Sequence, residues 1–207
     1  MRTRTILRLA VVVLLAGGLG TWGILKYRWR VPRRFSVVTR HVLYRSGQPD
    51  GEQLAALVKR YHIRTVINLR RPEENAEDPA VRSEAEAARR LGVRLVQRSK
   101  GGSVDLQTVQ ELLPIVENPS AQPVLVHCKY GKVRTSLFVA GYRMSHCGWT
   151  ARKAMAEAKH LDVIHKDDRS WPQFMKFVTQ FARDGMPGVE PEVPEKMGRE
   201  VQDSSAS

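Results

Sequence analysis

A cysteine and an arginine enclose five residues in the run His127-Cys128-Lys129-Tyr130-Gly131-Lys132-Val133-Arg134-Thr135-Ser136. The run joins an apolar, strand-like segment, Val124-Leu125-Val126, to a helix-like one, Leu137 to Met144. A loop at such a junction turns several backbone N–H groups inward, and the helix behind it adds partial positive charge at its N-terminus. A phosphate cradle needs both. Arg134 can grip two phosphate oxygens with its planar fork. Cys128 falls at the bottom of the cradle, and a field of this kind favours thiolate over thiol. The chemistry this spacing allows is nucleophilic attack by sulfur on a held anion.

The pattern His-Cys-x5-Arg-Thr/Ser resembles the signature loop of the cysteine-dependent protein tyrosine phosphatase superfamily. Two upstream segments, Leu43-Tyr44-Arg45-Ser46-Gly47-Gln48-Pro49 and Thr65-Val66-Ile67-Asn68-Leu69-Arg70, are similar to its compact dual-specificity branch, of the bacterial and atypical plant and fungal type. The resemblance runs roughly from Phe35 to Arg183. It implies Cys128 as nucleophile and Arg134 as phosphate grip, with His127, Lys129, Tyr130, Gly131, Lys132, Val133, Thr135 and Ser136 completing the substrate-binding loop. It also implies that the Thr135 hydroxyl bonds the thiolate. Ser136 stands where many relatives have Gly, so either hydroxyl can serve. His127 is expected to order the loop rather than act as a base. An isolated Cys after a buried strand is more often a packing residue, and rhodanese-type sulfur transferases also seat a Cys in an anion-binding loop. The ordered set of strand, His, Cys, Gly, Arg and hydroxyl speaks against the first. The Tyr-Arg-Ser-Gly-Gln-Pro segment speaks against the second.

Phosphate ester cleavage needs a proton for the leaving oxygen and then a base for water. One carboxylic acid on a loop facing the cysteine can do both. The resemblance implies an Asp some tens of residues before Cys128, and Asp105 fits best, after the glycine-containing stretch 98–104. An ordinary helix N-cap is the competing reading of Asp105. Asp78 is the reserve. The family's Trp-Pro-Asp triplet is absent, and Trp171-Pro172 lies on the wrong side of Cys128.

Lys129 and Lys132 bear on the substrate. Two ammonium groups at a pocket rim favour several phosphates, an arrangement that resembles the phosphoinositide phosphatases of the superfamily. The leading substrate is phosphotyrosine or phosphoserine/threonine in protein. The rival is an inositol phosphate or phosphoinositide. A reading from another class is a tethered phosphate-binding pseudophosphatase, against which both Cys128 and Arg134 are retained. No metal or organic cofactor is implied, since the loop itself supplies positive charge.

The elements that must hold this site follow from periodicity. Phe35–Val38, Val42–Arg45, Thr65–Leu69, Val93–Val96 and residues 123–127 read as strands. Helices are expected from Asp50, with Leu54, Leu57, Val58 and Tyr61 on one face, and over 79–91, 105–117, 134–147, 150–159 and 171–183. Asp50 with Gln53 makes a capping box, and Arg71 to Asn75 reads as a loop. Strands alternating with helices give an α/β fold with a mainly parallel central sheet flanked by helices.

The 207 residues carry a formal charge of +13, unevenly placed. Residues 1–34 contribute +8 and residues 186–207 contribute −3, leaving +8 on the stretch 35–185. A basic body suits anionic ligands, and no recognition-helix pattern points to nucleic acid. Two cysteines 19 apart give neither a disulfide framework nor a metal pattern. The expected organisation is an N-terminal anchor and basic flank over 1–34, a phosphatase domain over 35–185 and a disordered acidic tail over 186–207. Leu9 to Leu25 holds no charge and as a helix would span about 26 Å, near the ~30 Å of a bilayer core. An uncleaved single-pass anchor is therefore expected. The basic residues after it argue for a cytoplasmic body, while three arginines before it argue the reverse. The expected side is extracytoplasmic (periplasmic), with the cytoplasmic one open.

Overall fold

Strands covered on both faces read as unbroken apolar runs rather than alternating ones. The computed structural model, which describes residues 31–75, 77–97, 104–161 and 169–184, has one sheet, and its three central strands are the ones buried along their whole length. Its strands are β1 (Ser36–Thr39), β2 (Leu43–Ser46), β3 (Thr65–Asn68), β4 (Arg94–Gln97) and β5 (Val124–His127). Their order is β1-β2-β5-β3-β4. Only β1 runs antiparallel; β2, β5, β3 and β4 are mutually parallel. Ser46 and Asn68 both pair with His127, so β2, β5 and β3 end level with one another. Ligands of open parallel sheets bind at that carboxyl edge.

The helices are α1 (Gly51–Tyr61), α2 (Pro72–Asn75), α3 (Pro79–Leu91), α4 (Leu106–Glu117), α5 (Val133–His146), α6 (Ala151–His160) and α7 (Trp171–Asp184). The Asp50–Gln53 capping box forms in both directions, at 2.8 and 3.2 Å. Gly92 ends α3 at φ +69. Two short elements differ from the expectation. The stretch Arg71 to Asn75 contains α2, and a 3-10 turn spans Pro119–Ala121. Each is a single turn opened by proline, too short to carry a hydrophobic period.

Alternating side chains divide the core in two. Leu43, Ile67, Val124 and Val126 face α4, α5, α6 and α7, where Leu137, Phe138, Phe174 and Phe181 are fully buried. Each such side chain contributes roughly 1.5–3 kcal/mol by leaving water. Tyr44, Val66 and Leu125 point the other way, onto Leu54 and Leu57 of α1 and Ala87 and Ala88 of α3.

The expected membrane location is corrected. Among the described residues no helix is long and apolar enough to cross a membrane. The longest, α5 and α7, have 14 residues, about 21 Å against the ~30 Å needed. The expected anchor at Leu9 to Leu25 and the expected tail at 186–207 lie outside the described residues.

Candidate active site

Three strand ends and one helix start meet around Cys128. The loop from Cys128 to Lys132 leaves β5 and enters α5. Lys132 is the N-cap of α5 and makes no side-chain capping bond, so the first N–H groups of the helix meet no side-chain acceptor there. Gly131 turns the loop at φ +67. A Cβ there would stand 2.6 Å from Gly47 N and 2.7 Å from Ser46 C, so only glycine lets the loop approach the end of β2 this closely. Gln48 N donates to Lys129 O at 3.2 Å, and Gly47 N donates to Arg33 O at 2.7 Å. Arg34 Nη1 donates to Tyr130 O at 3.1 Å. The end of the basic flank is thus bonded to the loop and its support.

A cleft of about 490 Å³ opens over the loop, lined by Arg70, Glu74, Cys128, Lys129, Tyr130, Lys132, Val133 and Arg134. Cys128 is buried at its base, and the Thr135 hydroxyl donates to Cys128 Sγ at 3.2 Å. Tyr130 is exposed at the rim. Arg134 is held by a carboxylate: its Nη1 and Nη2 donate to the two Glu74 oxygens at 2.6 and 2.7 Å. The bond to Arg134 is the main reason the Glu74 carboxyl is pulled down to about 2. The same bond raises Arg134 above its ordinary value.

Glu74 is itself staged from below. Arg70, 1 % exposed, donates to Asp78 Oδ2 at 2.8 Å, to Gln48 Oε1 at 3.1 Å and to Glu74 O. Gln48 donates onward to Glu84 Oε2 at 2.7 Å, and Glu84 Oε1 lies 2.9 Å from His127 Nε2. Glu84 and His127 are both fully buried. Polar groups from β5, α3, the β2 turn and the end of β3 therefore form one series behind the cleft. Its links are not all made: Glu84 Oε1, both His127 ring nitrogens and Arg70 Nε are buried without a hydrogen-bond partner, and a buried polar network is rigid only where its members are satisfied.

The expected residues divide clearly. Cys128, Lys129, Tyr130, Lys132, Val133 and Arg134 line the cleft. His127, Gly131, Thr135 and Ser136 shape it from behind, Ser136 by accepting from Arg45 Nη2 at 2.9 Å. Asp105 is not among the lining residues. It caps α4, accepting from Thr108 N at 2.8 Å and from the Thr108 hydroxyl at 2.6 Å; the preceding residues 98–103 lie outside the described ones. Asp78 binds Arg70, which is the main cause of its lowered pKa. Sequence reasoning missed Arg45, Arg70, Glu74 and Glu84 as parts of the site. The available signal was a charge inside or directly after an apolar strand, as at Arg45 and Arg70.

Comparison with known proteins places this geometry in company. A model described as the tyrosine phosphatase family matches residues 30–180. The dual specificity protein phosphatase TpbA of Pseudomonas aeruginosa is 29% identical over 126 residues, covering 61% of this chain and 54% of that protein. The inositol diphosphatase DSP1 of Oryza sativa subsp. japonica is 33% identical over 118 residues, covering 54% of this chain and 50% of that one. The chain thus spans about half the length of the curated relatives it matches. Among solved structures, P. aeruginosa TpbA superposes with a TM-score of 0.56 at 26% identity, over 70% of this chain and 83% of that one. The core catalytic domain of the PP-IP phosphatase SIW14 from S. cerevisiae gives 0.59 at 23% identity, over 84% and 94%.

Proposed function

The chain belongs to the tyrosine phosphatase family, and on that premise we propose that it hydrolyses phosphomonoesters through a cysteinyl-phosphate intermediate, with phosphotyrosine or phosphoserine/threonine in proteins as leading substrates. One observation carries the reading. Cys128 Sγ accepts from Thr135 at the base of a cleft whose wall holds Arg134 and the uncapped start of α5. Sulfur, guanidinium and helix N-terminus border one cleft, the combination that attack on a phosphate requires.

In the first step Cys128 Sγ attacks phosphorus, the bond to the ester oxygen breaks, and that oxygen takes a proton from a carboxylic acid, for which Asp105 is the candidate although it caps α4 outside the cleft lining and would have to reach it. In the second, water attacks phosphorus, the S–P bond breaks, the carboxylate takes the water's proton, and phosphate leaves. Arg134 has five N–H donors. Glu74 engages one on each terminal nitrogen, which leaves donors for phosphate even with that pair intact. The catalytic unit is assigned to residues 35–185.

A second substrate reading has its own support. Arg70, Lys129, Lys132 and Arg134 line one cleft; Asp78 pairs with Arg70 and Glu74 with Arg134, so the surplus is that of Lys129 and Lys132. That surplus suits a ligand with several phosphates, such as an inositol phosphate or phosphoinositide. The relative from rice is named an inositol diphosphatase.

The test compares wild type with Cys128→Ser on a phosphotyrosine peptide, a phosphoserine peptide, an inositol polyphosphate and a phosphoinositide. Turnover that vanishes in the variant is expected, and the ranking of substrates chooses between the two readings. Folded, reduced wild type that binds phosphate yet turns over none of the four would instead make the protein a phosphate-binding module.

A further inference from the structure

A guanidinium inside a strand covered on both faces is costly unless its donors are used. Arg45 lies in β2 and is 2 % exposed. Burial pulls its pKa down to about 10; Glu157 and Cys128 act in the opposite sense, and Arg34 adds to the lowering. Its Nη2 donates to Gly131 O at 2.8 Å and to Ser136 Oγ at 2.9 Å. One acceptor is in the loop around Cys128 and the other in the first turn of α5.

Peptide geometry decides what the bond to Gly131 achieves. In a planar trans peptide the C=O and the next N–H point in opposite directions. Arg45 draws the Gly131 carbonyl down toward β2. The Lys132 N–H is thereby turned the other way, toward the cleft that Lys132 and Arg134 line. Without Arg45 this carbonyl loses its buried donor, and the peptide is free to rotate and offer an oxygen to the phosphate. A flipped peptide would replace attraction by repulsion at the point where the phosphoryl charge develops. The bond to Ser136 fixes the start of α5 to the same support. The charged groups around the Cys128 loop are Arg45 from β2, Arg70 after β3, Lys129 and Lys132 of the loop itself, Arg134 from α5 and, across the cleft, Glu74 from α2.

We propose that Arg45 is a positioning residue for the phosphate loop: it locks the Gly131–Lys132 peptide with its N–H toward the substrate and sets a buried cation against the loop that carries Cys128. The inference rests on the phosphatase reading above.

The experiment uses the full chain as wild type, Arg45→Met and Arg45→Lys, with an aryl phosphate as substrate and inorganic phosphate as inhibitor. An aryl leaving group scarcely needs a proton, so the loop is read apart from the acid. Arg45→Met is expected to lose about 100-fold in kcat, the scale for losing one preorganised donor, with a much smaller change in KM. Inhibition by phosphate should weaken about tenfold, and the acidic limb of the kcat/KM profile should move to higher pH. Arg45→Lys should restore the acidic limb, because it keeps the charge. It should still lose about tenfold in kcat, because one ammonium does not reproduce the planar fork. A purely structural arginine would lower the melting temperature and leave kcat and the pH limb of the folded protein unchanged. Values for folded Arg45→Met within about threefold of wild type overturn the proposal. If Arg45→Met does not fold, Arg45→Lys decides alone: wild-type kcat overturns it. Should wild type itself hydrolyse nothing, the phosphatase reading fails, and calorimetric titration with phosphate still reads Arg45. Equal affinity in wild type and folded Arg45→Met would then sink the positioning role.

Discussion

Glu74 joins the resting site to a pH dependence. Its carboxyl is held down to about 2, first by the hydrogen bond from Arg134 and, less strongly, by that from Arg71. The folded state therefore binds this proton more weakly than the unfolded chain, where the ordinary value is 4.5. The sign follows from linkage: the contribution is complete above 4.5 and is lost as pH falls from there toward about 2. Melting curves of wild type and Glu74→Gln should differ most near neutrality and converge through that acid window. A gap of constant size down to about pH 3 would show that the ion pair adds no pH-dependent stability. At this scale the sequence was half legible. Cys128 and Arg134 follow from a seven-residue interval that any reader can count. Glu74 does not, because it meets Arg134 across 60 residues of chain. Its choice of partner is made by where Arg70 holds the end of β3 and the turn after it, and no local pattern encodes that.

Elements were the most legible scale, since caps and periods are local. Asp50 with Gln53, the apolar face of α1 and the Gly92 stop of α3 all formed where their residue types require. Asp105 shows the limit of such reading, because one residue type serves two purposes. As a cap it satisfies the start of α4; as an acid it would need to reach the cleft. The two are separable. Asn caps about as well as Asp, whereas Ala costs about 1 kcal/mol. Asp105→Asn should therefore keep the wild-type melting temperature and Asp105→Ala should lower it. If Asp105 is the general acid, both should lose on the order of 100-fold in turnover of an alkyl phosphate and far less with an aryl phosphate. Full alkyl activity in Asp105→Asn would move the acid elsewhere. Asp78 would be a poor successor, because the bond from Arg70 keeps its pKa low and so favours the form without a proton.

Over the whole molecule, charge does what no single contact can. The chain carries +13, and even without its first 34 and last 22 residues the stretch 35–185 keeps +8. Its sheet aims three strand ends at one edge, and the cleft at that edge is lined by four cations and one carboxylate. Sheet order was legible only as a class, mainly parallel, because which strands become neighbours depends on packing between segments far apart. The ends were legible only as composition, and a membrane location read from them found no spanning helix among the described residues. The surplus charge makes a prediction that separates the two substrate readings. Attraction between a basic body and a polyanion is long-ranged, and salt at physiological strength screens it beyond about 8 Å. Raising salt should therefore raise KM steeply for an inositol polyphosphate and only weakly for a singly phosphorylated peptide. The part of that slope owed to Lys129 and Lys132 should disappear in the double variant Lys129→Ala, Lys132→Ala. The same variant should lose far more activity on the polyphosphate than on the peptide, because only the former has phosphates left over for the rim once Arg134 holds one. Equal losses and equal salt slopes would mean that both ammonium groups face water, and would leave protein phosphoesters as the better-supported substrate.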